Sequence, residues 1–118
     1  MDSYEIWCNL KPGVGDLEFA DAVAAYLGWL RGQGLIAGHR LTRRKLGFGV
    51  PGLGEFHIAI ETEDLGQLER AFQRVATRAG EVERLHARVY SSVTDVQIAL
   101  YRDFPDPVRK RPRRPPAG

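Results

Sequence analysis

Apolar and polar residues alternate strictly along Glu55–Glu61: Phe56, Ile58 and Ile60 fall on one side, and Glu55, His57, Ala59 and Glu61 on the other. A period of two belongs to a β-strand with one face on a core. The same pattern runs through residues 4–11, with Ile6, Cys8 and Leu10 opposite Glu5, Trp7, Asn9 and Lys11. It returns over residues 95–102, with Val96, Ile98 and Leu100 opposite Gln97, Ala99 and Tyr101. A fourth strand is predicted over residues 36–46. It carries Arg40, Arg43, Arg44 and Lys45, and charge of this kind suits a sheet edge, where it discourages pairing with other chains.

Between the strands the period changes to that of a helix. Leu17, Ala20, Ala24, Leu27 and Leu30 recur every three or four residues, which predicts an amphipathic helix over 16–33, N-capped by Asp16 and closed by Gly34. Leu65, Leu68, Phe72, Val75 and Ala79 form a second stripe, started by Asp64 and broken by Gly80. Val82, Leu85, Val89 and Val93 extend the helical period over 81–93, with a strand over 87–93 as the alternative. The resulting order, β-α-β-β-α-(α)-β, is the split βαβ pattern of an α+β, ferredoxin-like domain. Right-handed crossovers then place the strands antiparallel in the order 4-1-3-2, with the helices on one face.

The stretch joining the second and third strands, Gly47-Phe48-Gly49-Val50-Pro51-Gly52, matches G-x-G-x-x-G letter for letter. A dinucleotide loop requires a helix N-terminus after the glycines, to present free N–H groups to a pyrophosphate. Here a strand follows, and Pro51 removes one N–H. The segment reads as a long hairpin turn, with a loop at a pocket mouth as the other reading.

Composition narrows the class. The 118 residues are enough for one domain with its own core. The lone cysteine, Cys8, has no internal disulfide partner. With no long apolar run and no basic-then-apolar leader, the expectation is a cytoplasmic protein with no membrane partner. The net charge of +2 conceals an asymmetry. Residues 105–118 hold Arg109, Lys110, Arg111, Arg113 and Arg114 against Asp106, a net of +4, which leaves −2 for residues 1–104. The division is therefore a single domain over 1–104 and a flexible basic, proline-rich tail over 105–118. Strand alternation separates Arg43 and Lys45 from Arg40 and Arg44, and a slightly acidic body argues against nucleic acid as a partner.

The sheet face away from the helices carries the candidate chemistry. Alternation puts Glu5, Trp7, Asn9, His57, Ala59, Glu61, Gln97, Ala99 and Tyr101 on it, joined by His39 and Leu41 from the second strand. Such a mixed face predicts a homodimer in which two sheets enclose a cavity. His57 is the candidate general base, flanked by Glu55 and Glu61, because an imidazole beside a carboxylate exchanges protons near neutral pH. Trp7, Asn9, His39, Glu55, Glu61 and Tyr101 are the candidate ligand-binding residues around it, with interface packing as the competing role. His39, His57, Glu55 and Cys8 lack the spacing of a metal site, so neither metal nor cofactor is expected. His86, on a helix, reads as a packing or solvent residue.

The runs RRKLGFGVPGLGEFHIAIET and TDVQIALYRDFPD resemble an uncharacterised bacterial family of the dimeric α/β-barrel, ferredoxin-like superfamily. The resemblance spans about residues 4–106. It implies the fold and the dimer. With the mixed sheet face, the expectation is a homodimer binding a small organic molecule in the cavity between sheets, and the superfamily's members extend it to a cofactor-independent monooxygenase or isomerase. The alternative is a non-catalytic structural or stress-related interaction protein.

Overall fold

The computed structural model describes residues 1–106 together with Val108 and Arg109. The chain runs β1 (Asp2–Leu10), α1 (Asp16–Gly32), β2 (Gly38–Arg43), β3 (Phe56–Thr62), α2 (Leu65–Ala76), α3 (Gly80–Tyr90) and β4 (Val93–Arg102). The four strands form one antiparallel sheet in the order β2-β3-β1-β4, which is the expected topology. Most of the basic tail, Lys110 to Gly118, lies outside the described residues.

Register decides which side chains meet. Tyr4, Ile6 and Cys8 of β1 pair with Ile60, Ile58 and Phe56 of β3, and all of them pack beneath the helices with Phe19, Val23, Leu27 and Leu30 of α1. β4 continues the row, with Ile98 opposite Ile6 and Leu100 opposite Tyr4. Between Trp7 and Asn9 the pairing shifts at a bulge, where Asp95 adopts a φ of 56°. The Asp95 carboxylate accepts from Asn9 Nδ2 at 3.1 Å, fixing the end of β1 against β4. At the other end, Arg102 Nε donates to the buried Asp2 carboxylate at 2.7 Å.

The structure corrects several expectations. His39 and Leu41 pair with Ile60 and Ile58, so they sit on the helix side; the open-face residues of β2 are Gly38, Arg40 and Thr42. The buried stripe of α1 is Phe19, Ala22, Val23, Leu27 and Leu30, while Leu17 is 78% exposed. Both stripes have helical spacing, and the one containing Phe19 and Val23 removes more apolar area from water than Ala20 and Ala24 could. Asp16 is not the cap of α1: Gly15 occupies that position, and Asp16 instead accepts from Leu17 N at 2.7 Å and pairs with Arg43 at 3.0 Å. Asp64 does cap α2, accepting from Gln67 N at 2.8 Å. The helix predicted over 81–93 ends at Tyr90, and the residues from Val93 onward belong to β4.

The loop between β2 and β3 is held down at its base. Arg44 N donates to Glu55 O at 2.7 Å, and Asn9 Oδ1 accepts from Glu55 N at 2.8 Å. Gly54 lies so close to β1 that a Cβ there would stand 2.5 Å from the carbonyl of Cys8. No side chain fits without moving backbone. Gly54→Ala is therefore expected to destabilise the protein by about 1–3 kcal/mol in urea denaturation. Unchanged stability would mean that the loop base does not rest on β1.

Candidate functional site

On the open face the pairing of Trp7 with His57 brings their rings into a stack, 4.8 Å between centroids and 7° from parallel. His57 Nε2 lies 2.6 Å from Glu5 Oε2. A carboxylate only accepts, so Nε2 is the donor in this contact. The hydroxyl of Thr42 stands 3.4 Å from Nδ1, and the second oxygen of Glu5 accepts from Ser3 Oγ at 2.8 Å. Ser3, Glu5, His57 and Thr42 thus form one chain of polar contacts across three strands.

The expected constellation assembles only in part. His57 and Trp7 come together as anticipated, but the carboxylate on His57 is Glu5, its neighbour across the β1–β3 pair. Glu55 turns to Arg43, 3.4 Å away. Glu61 is exposed at the opposite end of β3, opposite Ser3 and Gly38. Asn9 is committed through both ends of its amide, to Asp95 and to Glu55 N. Tyr101 shares the open face two strands from His57, opposite Ser3, and is 63% exposed. His39 faces the helices. Over the loop end of this face the residues 44–54 arch to enclose a crevice of about 190 Å³ against Trp7, Thr42 and His57.

The larger space lies on the other side of the sheet. A cavity of about 390 Å³ separates the sheet from the three helices, floored by Tyr4, Ile6, Cys8, Ile58 and Ile60 and roofed by all three helices. It reaches the edge of the sheet at β4, where Val96, Ile98 and Leu100 are each about half exposed. Its polar points are few. The His86 ring lies between Tyr26 and Tyr90, with centroids 5.2 and 5.0 Å away, and Tyr4 stands edge-on to Phe72 at 5.2 Å.

Burial tunes these groups. Desolvation, reinforced by Tyr4, pushes the Tyr26 hydroxyl up to about 12, and desolvation also raises Tyr4. Both remain protonated donors at neutral pH. Burial pushes the Cys8 thiol up to about 11, which makes it a poor nucleophile. Desolvation lowers His86, with Arg78 acting in the same direction and Glu83 opposing, so its imidazole is neutral at pH 7. Tyr4, Tyr26, His86 and Tyr90 were not legible as a group. Tyr4 carried only the period of β1, and the others helical spacing, Tyr26 four residues before Leu30 and His86 four before Tyr90; both are also the signals of ordinary core. Among the described residues no three His, Cys, Asp or Glu side chains converge as a metal site.

Solved structures share this fold at low identity. The protein At3g17210 from Arabidopsis thaliana superposes with a TM-score of 0.67 at 11% identity, covering 87% of this chain and 95% of its own. SnoaB, a cofactor-independent oxygenase from Streptomyces nogalater, gives 0.63 at 14% identity, over 89% of this chain and 97% of its own. A dimeric ferredoxin-like protein of unknown function from Jannaschia sp. CCS1 gives 0.63 at 9%, over 86% and 98%. No curated protein matches the chain. A family model does, across residues 1–114. On that match the chain belongs to the family described as "Family of unknown function (DUF6614)".

Proposed function

We propose that this protein binds a small, uncharged, largely aromatic organic molecule in the cavity between sheet and helices, and that it works as a homodimer through the open sheet face. One observation carries the reading: a cavity of about 390 Å³ with no Lys, Arg, Asp or Glu in its lining. That volume lies in the range of small-molecule sites, about 300–1,000 Å³. A charged ligand would sit there without a counter-charge, at a cost of several kcal/mol. Tyr4, Tyr26, Tyr90 and His86 are the polar side chains of an otherwise largely apolar wall. The dimer is supported by the mixed open face away from the loop, where Ala59, Ala99 and Tyr101 lie among polar residues, and by the dimeric state named for the Jannaschia protein.

A second reading makes the protein an enzyme of the cofactor-independent oxygenase or isomerase type, which is what SnoaB, sharing this fold, is named for. His86 favours it. A neutral imidazole on the wall of an apolar cavity can take a proton from a weakly acidic carbon or phenol, and the neighbouring Tyr26 hydroxyl can donate to the anion that forms. His57, the base expected on the open face, is separated from this cavity by the sheet. The alternative, a non-catalytic structural or stress-related interaction protein, lacks turnover.

The neutral fluorescent amine N-phenyl-1-naphthylamine tests the cavity. It should bind saturably, one per chain, and Val89→Phe, which narrows the space, should weaken it at least about tenfold, ~1.4 kcal/mol. Affinity unchanged by Val89→Phe would place the probe elsewhere and remove the basis of the reading. The same protein should elute at twice 13.2 kDa in light scattering; a monomer would leave the open face unexplained.

The depressed proton affinity of His86 also predicts a pH dependence. Its folded value lies below the ordinary 6.5, so as pH falls through 6.5 the unfolded chain takes up the proton first and stability declines. Urea denaturation at pH 7.5 and 5.5 should show a larger acid loss in the wild type than in His86→Phe. Equal losses would show that His86 is solvated.

A further inference from the structure

We propose that the crevice beneath the loop joining β2 and β3 is a second ligand site, independent of the inner cavity, for a small planar carboxylate. The crevice is preformed. Its arch stands on Gly54, which is packed on the Cys8 backbone, on the Asn9 clamp to Glu55 N, and on the Arg44 N to Glu55 O bond. The arch is cross-braced by Arg44, whose guanidinium reaches Leu53 O at 3.4 Å.

Charge selects the ligand. Arg43, at the edge of the same crevice, is neutralised by Asp16 at 3.0 Å and Glu55 at 3.4 Å. Glu5 is turned away to His57 and Ser3. Among the described residues Arg44 has no carboxylate partner, and its long contact with a backbone carbonyl leaves the remaining guanidinium donors for an anion. A guanidinium binds a carboxylate through two parallel N–H donors. Thr42 adds a hydroxyl from the floor. Its contacts, to His57 Nδ1 and to His57 O, are both 3.4 Å, long enough to be exchanged for a better acceptor.

Shape selects it as well. Behind Thr42 stands the stacked pair of Trp7 and His57, and Phe48, Val50 and Leu53 line the loop side. A flat apolar body fits between them with its acidic group toward Arg44. At about 190 Å³ the crevice falls below the size of a drug-like site, so it holds a single ring rather than a fused system. The inner cavity has the opposite character, larger and with no cation in its lining. One chain thus presents two sites of different selectivity on opposite faces of one sheet.

Benzoate, with benzamide as its uncharged isostere, tests the proposal. The chain has two tryptophans, and Trp29→Phe leaves Trp7 as the sole indole reporter. Benzoate should change Trp7 fluorescence saturably and benzamide should not. Arg44→Gln, which keeps a donor for Leu53 O and removes the charge, should weaken benzoate at least tenfold. Val89→Phe, in the inner cavity, should leave benzoate binding unchanged. Absence of a saturable response, equal binding by Arg44→Gln, or loss in Val89→Phe would each overturn the assignment. Should Trp29→Phe fail to fold, amide NMR of the wild type reads the same event. Benzoate must then shift the Trp7 indole N–H and the amides of Gly47 and Gly49, and shifts confined to the α3 residues would reject the site.

Discussion

The pairing of β1 with β3 is the constraint on which the rest depends. Ile6 opposite Ile58 and Cys8 opposite Phe56 place the largest apolar contribution of both central strands under the helices. Because side chains alternate, the same register must put Trp7 opposite His57 and Glu5 beside it on the other face. A slip of one residue would turn one of the two strands over, burying Glu5 or His57 beneath the helices and exposing that strand's apolar residues. Burial of an unpaired ionisable group together with loss of that apolar contact is enough to exclude the alternative. The polar cluster is therefore held in place by the hydrophobic packing on its reverse side.

The inner cavity follows from how three helices share a four-stranded sheet. α1 packs closely on the core through Phe19, Val23, Leu27 and Leu30, all less than 4% exposed. α2 and α3 contribute fewer buried residues, chiefly Leu68, Ala71, Val82 and Leu85. Beside them the helix-side residues of β4, Val96, Ile98 and Leu100, stay about half exposed. The space is thus a consequence of incomplete coverage at the β4 edge. Its walls are the same residue types that fill a core, which is why its interior is apolar and the Tyr4 and Tyr26 hydroxyls are desolvated.

The architecture was legible because period-two segments and helical stripes are local, and strands β1, β3 and β4 each carry an apolar face strong enough to set their orientation. β2 is different. His39, Leu41 and Arg43 alternate with Arg40, Thr42 and Arg44, so neither face is the apolar one and its orientation comes only from the partner strand. That is why His39 and Leu41 were expected on the wrong side. The carboxylate of His57 was missed for a related reason: Glu5 is 52 residues away in sequence, whereas Glu55 and Glu61 are near in sequence and distant in function. In α1 two stripes with helical spacing compete, and only their packing against β3 distinguishes them. The cavity could not be read at all, since spacing identifies which residues face inward and not whether they meet.

The glycine-rich loop shows how little a letter pattern means without its mechanical context. Its glycines serve neither a helix dipole nor a phosphate. Gly47 and Gly52 take φ values of 73° and 89°, which turn the chain, while Gly54 brings the loop base onto β1. This close approach is what converts a long hairpin connection into a fixed arch above Trp7 and Thr42. It also covers one end of the open face, where Phe48 and Val50, 81% and 64% exposed, border the crevice. Had the connection been a tight two-residue turn, the Trp7–His57 stack would lie on a bare sheet, and Arg44 would have no Leu53 carbonyl to hold it at the crevice.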